Sequence, residues 1–405
     1  MRHILFFVGL FFISVSNAQL NKFIHTSGKE IKDGNGNIFS MKGVNLGNWL
    51  VPEGYMFKFK NTNSPRLINE AIMELVGPEA TQVFWNKYLD NYITEADIHY
   101  LKSIGVNSIR VPFNYKLFTN EDYLGNNDST KGFYLLDNLI KWCKKENVYI
   151  VLDMHCAPGG QTGDNIDDGY GYPFLFESDK CKQLTIAIWL KIAEKYRDEP
   201  IVMGYDLLNE PIAHYFNVEE LNPYLEPFYK LLVTRIRSVD KNHIIFLGGA
   251  QWDTNFKIFG TPFDANVVYT FHKYKDGTTR QSVQRFIDFR EKYNVPIYAG
   301  ETGENTNQWI EEFRKTLEEN NIGWHFWPYK KIESTKSLLS IKKPVYYDSL
   351  IAYAEAPRSS FNELRNLKPD KTIIKKVLDD ILQNCVFKQC LINDGYAKAL
   401  GFRSF

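Results

Sequence analysis

Residues 202–207, Val202-Met203-Gly204-Tyr205-Asp206-Leu207, form a short apolar run that breaks at Leu208-Asn209-Glu210-Pro211. Such a run, bounded by a turn and followed by an amphipathic stretch, is the pattern of a strand feeding a helix beside a parallel sheet. Seven similar runs flank it. Ile38 to Asn45, Ser108 to Val111 and Tyr149 to Asp153 precede it; Ile244 to Leu247, Val267 to Phe271, Ile297 to Glu301 and Gly323 to Phe326 follow. Eight strands close a (β/α)8 barrel, so the pattern predicts an α/β chain of the TIM-barrel class.

The segments between these runs predict the outer helices. Thr94-Glu95-Ala96-Asp97 forms a capping arrangement ahead of Ile98, Leu101 and Ile104, and Leu135, Leu139, Ile140 and Cys143 share one helical face. Two helices are expected between Asn63 and Tyr92, which makes the first βα connection long; long connections at this face shape substrate sites. Past Ala356 the sequence turns amphipathic around Ile373 to Leu382. This predicts a short C-terminal helical extension packed on the barrel, since so few residues hold little core of their own.

Met1-Arg2-His3, an apolar run from Ile4 to Val15, and Ser16-Asn17-Ala18 make up the three parts of a cleavable export signal. The expected organisation is therefore a signal peptide over 1–18, a catalytic barrel over 19–356 and an extension over 357–405. The mature chain is expected to be secreted or periplasmic, monomeric and free of membrane spans. Acidic and basic residues balance at 48 each, which argues against nucleic acid as a partner. The five cysteines, Cys143, Cys156, Cys181, Cys385 and Cys390, lack the spacing of a zinc site and cannot all pair with one another. A Cys385–Cys390 bridge and buried free thiols both remain open.

Polar residues gather where the predicted strands end, the face on which barrels of this kind carry their chemistry. Arg110 closes the second strand, Asp153-Met154-His155 the third and Asn209-Glu210 the fourth. His272-Lys273-Tyr274 closes the sixth, Glu301 the seventh and Trp327 the eighth. Strands four and seven face each other across the mouth. Two carboxyls placed so, roughly 5 to 5.5 Å apart, suit glycoside cleavage with retention of configuration, one giving a proton and the other attacking. Arg110 and the Tyr274 hydroxyl would favour the anionic form of Glu301, and Glu210, facing that anion, would keep its proton.

Tyr205-Asp206-Leu207-Leu208-Asn209-Glu210-Pro211, with Glu301 ending an apolar strand, resembles glycoside hydrolase family 5, the cellulase family, over nearly the whole barrel. The resemblance implies Glu210 as general acid/base and Glu301 as nucleophile. It further implies that Arg110 positions Glu301, His155 contacts sugar hydroxyls and Asn209 bonds the 2-hydroxyl. His272 and Tyr274 would line the site, and Trp327 would floor it. Lys42-Gly43-Val44-Asn45-Leu46-Gly47-Asn48-Trp49-Leu50 and Asp153 to Gln161 resemble the exo-β-1,3-glucanase branch. An oligo- or polysaccharide, with β-glucan first, is the expected substrate, and no cofactor or metal is implied. Cys156 stands where that branch has glycine, and Gly300 to Asn305 departs from its usual segment, so linkage and exo or endo action stay open.

Trp49, Trp252 and Tyr329 sit beside strand ends, where sugar stacking and ordinary packing are both open. Glu53, Asp164, Asp167, Asp168 and Glu304 are expected in solvated loops. β-Mannan, xyloglucan or a glycolipid are alternative substrates, and a non-catalytic carbohydrate-binding barrel is an alternative class. A metal-dependent hydrolase would need further ligands, commonly a His-x-His pair in the first strand. The eight histidines include no such pair.

Overall fold

The computed structural model describes residues 23–403; the expected export signal over residues 1–18 lies outside them. Eight parallel strands close into a barrel in chain order. They are β1 (Lys42–Asn45), β2 (Ser108–Asn114), β3 (Tyr149–Cys156), β4 (Val202–Asp206), β5 (Ile244–Gly248), β6 (Val267–Lys273), β7 (Ile297–Gly303) and β8 (Gly323–Trp327). The chain is thus the expected (β/α)8 barrel. Only the first run is displaced. Asp33 accepts the backbone N–H groups of Asn35 and Asn37, folding the chain back so that Ile38 bridges Lys32 outside the barrel.

Alternation along the strands sorts the side chains. In β3, Ile150, Leu152 and Met154 pack outward with the helices, whereas Val151, Asp153 and His155 face the interior. The lower interior is apolar: Val151, Met203, Ile244, Phe246, Val268 and Tyr298 meet Ile24, Ile31 and Met41. Ile24 and Ile31 come from an N-terminal hairpin, His25–Ser27 with Glu30–Lys32, that plugs this end. Each large apolar side chain buried there contributes roughly 1.5–3 kcal/mol. The opposite end is left to polar groups.

The outer helices bury the faces their spacing predicts. Ile98, Leu101 and Ile104 lie inward behind a Thr94–Asp97 capping box, and Leu135, Leu139, Ile140 and Cys143 do the same one helix later. The long first connection carries helices Pro65–Val76 and Pro78–Tyr92. Against them packs helix Lys371–Asn384, through Ile374, Val377, Leu378 and Ile381.

Beyond residue 356 the chain is not helical alone. Leu391–Ile392 pairs antiparallel with Leu339–Ile341, which lies parallel to Lys330–Ile332. A two-residue strand has no periodicity to read. Helix Tyr347–Glu355 clamps the first connection: the Glu355 carboxylate accepts the backbone N–H groups of Lys60, Asn61 and Thr62 at 2.9, 3.0 and 3.3 Å. The Tyr347 hydroxyl donates to the Phe57 carbonyl at 2.9 Å. All five cysteines are free thiols, Cys385 and Cys390 included. Among the described residues no helix is long and apolar enough to cross a membrane.

Candidate active site

Arg110 is the hub of the mouth. Fully buried on β2, it donates from Nε to Asp206 Oδ2 at 2.9 Å and from Nη1 to Glu301 Oε1 at 2.6 Å and Asn45 Oδ1 at 3.1 Å. Its Nη2 donates to Asn209 Oδ1 at 2.8 Å and lies 3.1 Å from Asp153 Oδ1. Burial opposes its charge, but Asp153, Asp206 and Glu301 outweigh that and raise the guanidinium well above its ordinary value. The fork geometry fixes two strand-end residues at once, Asn209 and Glu301, which a lysine would not do.

Glu301 reaches the mouth through a bulge. Tyr298 already faces the interior, so strict alternation would turn residue 301 outward. The pairing between β6 and β7 slips at Phe271/His272, bringing Glu301 opposite His272. Such an irregularity re-aims a side chain. The second carboxylate oxygen of Glu301 then accepts the Tyr274 hydroxyl at 2.6 Å.

Glu210 sits just past β4 with φ at 47°, a left-handed conformation that costs on the order of 1 kcal/mol for a non-glycine residue. Its Oε1 lies 2.8 Å from His272 Nδ1. One carboxylate oxygen from Glu210, one from Glu301 and a ring nitrogen of His272 all fall within 4.8 Å of one another. Burial lifts Glu210 to about 7, against the pull of His155 and Arg110. Burial, rather than the expected charge of the facing carboxylate, is the leading cause. It also lowers His155 to about 4 and His272 to about 3, so both rings are neutral near pH 7. His155 Nδ1 lies 2.8 Å from Asp153 Oδ2, and its ring stacks parallel to that of Trp327 at 5.7 Å.

All eight residues singled out from sequence therefore converge: Arg110, His155, Asn209, Glu210, His272, Tyr274, Glu301 and Trp327. Seven of them are joined by direct polar contacts, His155 through the Asn209 amide at 3.4 Å, and Trp327 stacks on His155. Their neighbour Glu53 corrects the expectation of a solvated loop. It is buried, lines a cavity of about 560 Å³ together with Tyr55, His155, Glu210, Glu301 and Trp327, and is pushed well above the usual carboxylate range by burial and then by Glu301. Its Oε1 has no hydrogen-bond partner among the described residues. Glu304, likewise at the cavity wall, is ion-paired with Lys331. The Trp327 Nε1 donates to the Tyr55 hydroxyl at 2.5 Å, and Gly47 leaves room for the indole, since a Cβ there would sit 2.6 Å from it.

Asp167 and Asp168 are also buried, contrary to expectation, because they fold loops. Asp167 accepts the N–H groups of Thr162, Gly163 and Gly169. Asp168 accepts Lys116 and the Arg66 N–H. Trp49 and Tyr329 are packing residues, donating to the Leu89 carbonyl and to Asp97. Trp252 instead lines a second cavity of about 610 Å³ that shares Glu210 and Tyr274 with the first. Asn45, Asp206 and Asp253 complete the polar shell. Asn45 closes the first predicted strand and Asp206 lies in the motif ending at Glu210, whereas nothing in the sequence pointed to Asp253. A cation at Glu210, His272 and Glu301 would compete with the Arg110 and Tyr274 donors already seated on both oxygens of Glu301.

Two facing carboxylates at the mouth of a barrel are the arrangement that glycoside hydrolases use. A family model for cellulases, glycosyl hydrolase family 5, matches residues 69–332, and the chain belongs to that family as a glycoside hydrolase. A beta-xylosidase of Phanerodontia chrysosporium is 28% identical over 347 residues, covering 76% of this chain and 71% of its own. Endoglucanase C of Acetivibrio thermocellus is 26% identical over 317 residues, covering 62% and 88%. The glucan 1,3-beta-glucosidase 2 of Wickerhamomyces anomalus is 28% identical over 278 residues, covering 65% and 63%. Among solved structures, a rutinosidase from Aspergillus niger shares the fold at a TM-score of 0.58 and 21% identity, over 73% of this chain and 90% of that one.

Proposed function

We propose that this chain hydrolyses β-glucosidic bonds of a β-glucan by double displacement, with Glu301 as nucleophile and Glu210 as general acid/base. The carrying observation is the carboxylate pair held within 4.8 Å in opposite surroundings. Glu301 has a donor on each oxygen, as an attacking carboxylate needs. Glu210 has burial and a neutral imidazole, which keep a proton available near neutrality.

In the first step Glu301 attacks the anomeric carbon while Glu210 protonates the departing oxygen. In the second, Glu210 takes a proton from water, which attacks the same carbon and releases Glu301. Asn209, held by Arg110, is placed to bond the 2-hydroxyl, and His155 and Glu53 line the cavity that would take the further hydroxyls. Trp327 supplies the floor. The endoglucanase and glucan glucosidase relatives support β-glucan as the substrate class. Export after cleavage at Ala18, a monomeric state and a 19–356 catalytic unit carrying a 357–405 extension belong to the same proposal.

Glu301→Gln is expected to abolish turnover while sugar binding persists. Glu210→Ala should lose roughly 10²–10⁴-fold on glucan, and on an activated aryl β-glucoside, whose leaving group needs no proton, azide should partly restore turnover and give a β-glycosyl azide of retained configuration. Near wild-type rates for both variants on the best of laminarin, lichenan, carboxymethylcellulose, pustulan, mannan and aryl β-glucosides would sink the assignment. The same panel reads specificity: glucose alone marks exo action, and a ladder of oligomers marks a cleft.

A further inference from the structure

Asp253 lies in Gly248-Gly249-Ala250-Gln251-Trp252-Asp253, just past β5, and no strand-end pattern points to it. Three consecutive non-glycine residues, Gln251, Trp252 and Asp253, hold φ at 51°, 61° and 56°. A backbone bent so unfavourably persists only where its surroundings over-determine it. What it delivers is a carboxylate, fully buried, behind the acid/base. Asp253 Oδ2 accepts the Glu210 backbone N–H at 3.3 Å and lies 3.2 Å from His272 Nε2. That buried ring nitrogen makes no hydrogen bond among the described residues, and the Asp253 carboxylate lies within ion-pair distance of it, so a small turn of either side chain would close the bond. The position is also cut to fit, because a Cβ on Gly248 would come within 2.1 Å of Asp253 Oδ1.

We propose that Asp253 is a positioning residue that fixes the tautomer of His272 and, through it, the protonation of Glu210. This rests on the assignment of Glu210 as acid/base. Neutral imidazole carries one N–H. With Asp253 ionised, that proton sits on Nε2, and bare Nδ1 accepts the O–H of Glu210. The alternative moves one proton from Glu210 to Nδ1 and one from Nε2 to Asp253. Both arrangements hold two protons and one negative charge, so the chain exchanges them without outside reactants. The first arms Glu210 to protonate a leaving oxygen; the second leaves it a carboxylate ready to accept from water.

Other charges bear on the same group. Arg110 and His155 face Glu210 from β2 and β3, Asp164 from the loop after β3, and Glu301 faces His272 from β7. Asp153 and Asp206 sit beneath, both bound to Arg110. Among the carboxylates of the described residues, only Asp253 lies within ion-pair distance of Nε2. Burial, followed by Asp206 and Glu210, raises Asp253 well above its usual range.

Ring ¹⁵N spectra of the histidine-labelled wild-type protein near pH 6 should show His272 with its proton on Nε2. In Asp253→Asn the alkaline limb of kcat/KM should move down by about one pH unit. Hydrolysis of an unactivated glucan oligosaccharide at pH 7 should fall roughly 10–100-fold. A 2,4-dinitrophenyl β-glucoside, whose leaving group needs no proton, should keep its glycosylation rate within about threefold. A structural role alone would depress both substrates together and leave the limb in place. An Nδ1–H tautomer in the wild type, or an unmoved limb in a folded Asp253→Asn, overturns the proposal while leaving Glu210 in its role. The spectra decide the matter even if the variant does not fold. Full activity of Glu210→Ala on the oligosaccharide would instead remove the acid/base assignment on which it rests.

Discussion

Two cations are wholly buried among the described residues, Lys330 and Arg110, and they are surrounded in opposite ways. Lys330, in the wall behind β8, has its three ammonium donors matched to Asp97 at 2.5 Å and the carbonyls of Tyr92 and Cys385 at 2.6 and 3.0 Å. One charge meets one charge. Arg110 faces three carboxylates, Asp153, Asp206 and Glu301, and Asp153 Oδ1 and Asp206 Oδ1 are left without hydrogen bonds. The balanced pair suits a joint between the barrel and its flank. In the unbalanced one burial raises Asp153 and Asp206 to about 7, and the third carboxylate, Glu301, is presented to a cavity where an oxocarbenium-like transition state would develop positive charge. Buried ion pairs are weak evidence for stability in themselves; the sign and size of the imbalance separate a strut from a site.

That contrast breaks if the two cations respond alike to removal. Arg110→Met should lower kcat/KM by roughly 10³-fold, since both Glu301 and Asn209 lose their anchor; steady-state rates on an aryl β-glucoside measure it. Lys330→Met should cost about 3–5 kcal/mol in urea unfolding by stranding Asp97, with kcat/KM of the folded enzyme unchanged. A Lys330→Met/Asp97→Leu double variant should recover part of that loss. If Lys330→Met harmed turnover more than stability, the distinction would fail.

Acidity sharpens it further. Glu210 has its folded value raised to about 7, above its unfolded value, so between about pH 4.5 and 7 the folded state binds more protons than the unfolded one. Its contribution to stability is therefore full at low pH and lost as pH rises through that window. Glu210→Gln should be more stable than wild type by on the order of 2 kcal/mol at pH 8, and the gap should close near pH 4. Chemical denaturation across pH reads this, and kcat/KM of the wild type should fall above about pH 7. The smallest effect concerns metals. Prolonged treatment with a strong chelator should leave activity unchanged, because the Arg110 guanidinium and the Tyr274 hydroxyl already hold the two oxygens of Glu301.

The barrel was legible because its strands carry β-branched and aromatic runs with polar ends, and because strand order repeats in space. The site was legible for the same reason: Arg110, His155, Asn209, Glu210, His272, Tyr274, Glu301 and Trp327 all sit at strand ends. Glu53 and Asp253 were not, since they enter from loops whose course depends on left-handed backbone and on contacts far along the chain. Ile38 misled because a β-branched residue reads as strand whether it joins the barrel or the hairpin. The cause of the Glu210 shift was missed as well; sequence names charged neighbours but does not measure burial.

The clasp between Glu355 and the loop at residues 60–62 has a practical side for anyone exchanging segments among relatives of this enzyme. The wall that bears Glu53 and Tyr55 belongs to the first connection, yet its backbone is held by a helix some three hundred residues later. Grafting that loop alone would strand three N–H donors. The transferable module is the loop together with helix Tyr347–Glu355, two pieces distant in sequence that travel as one.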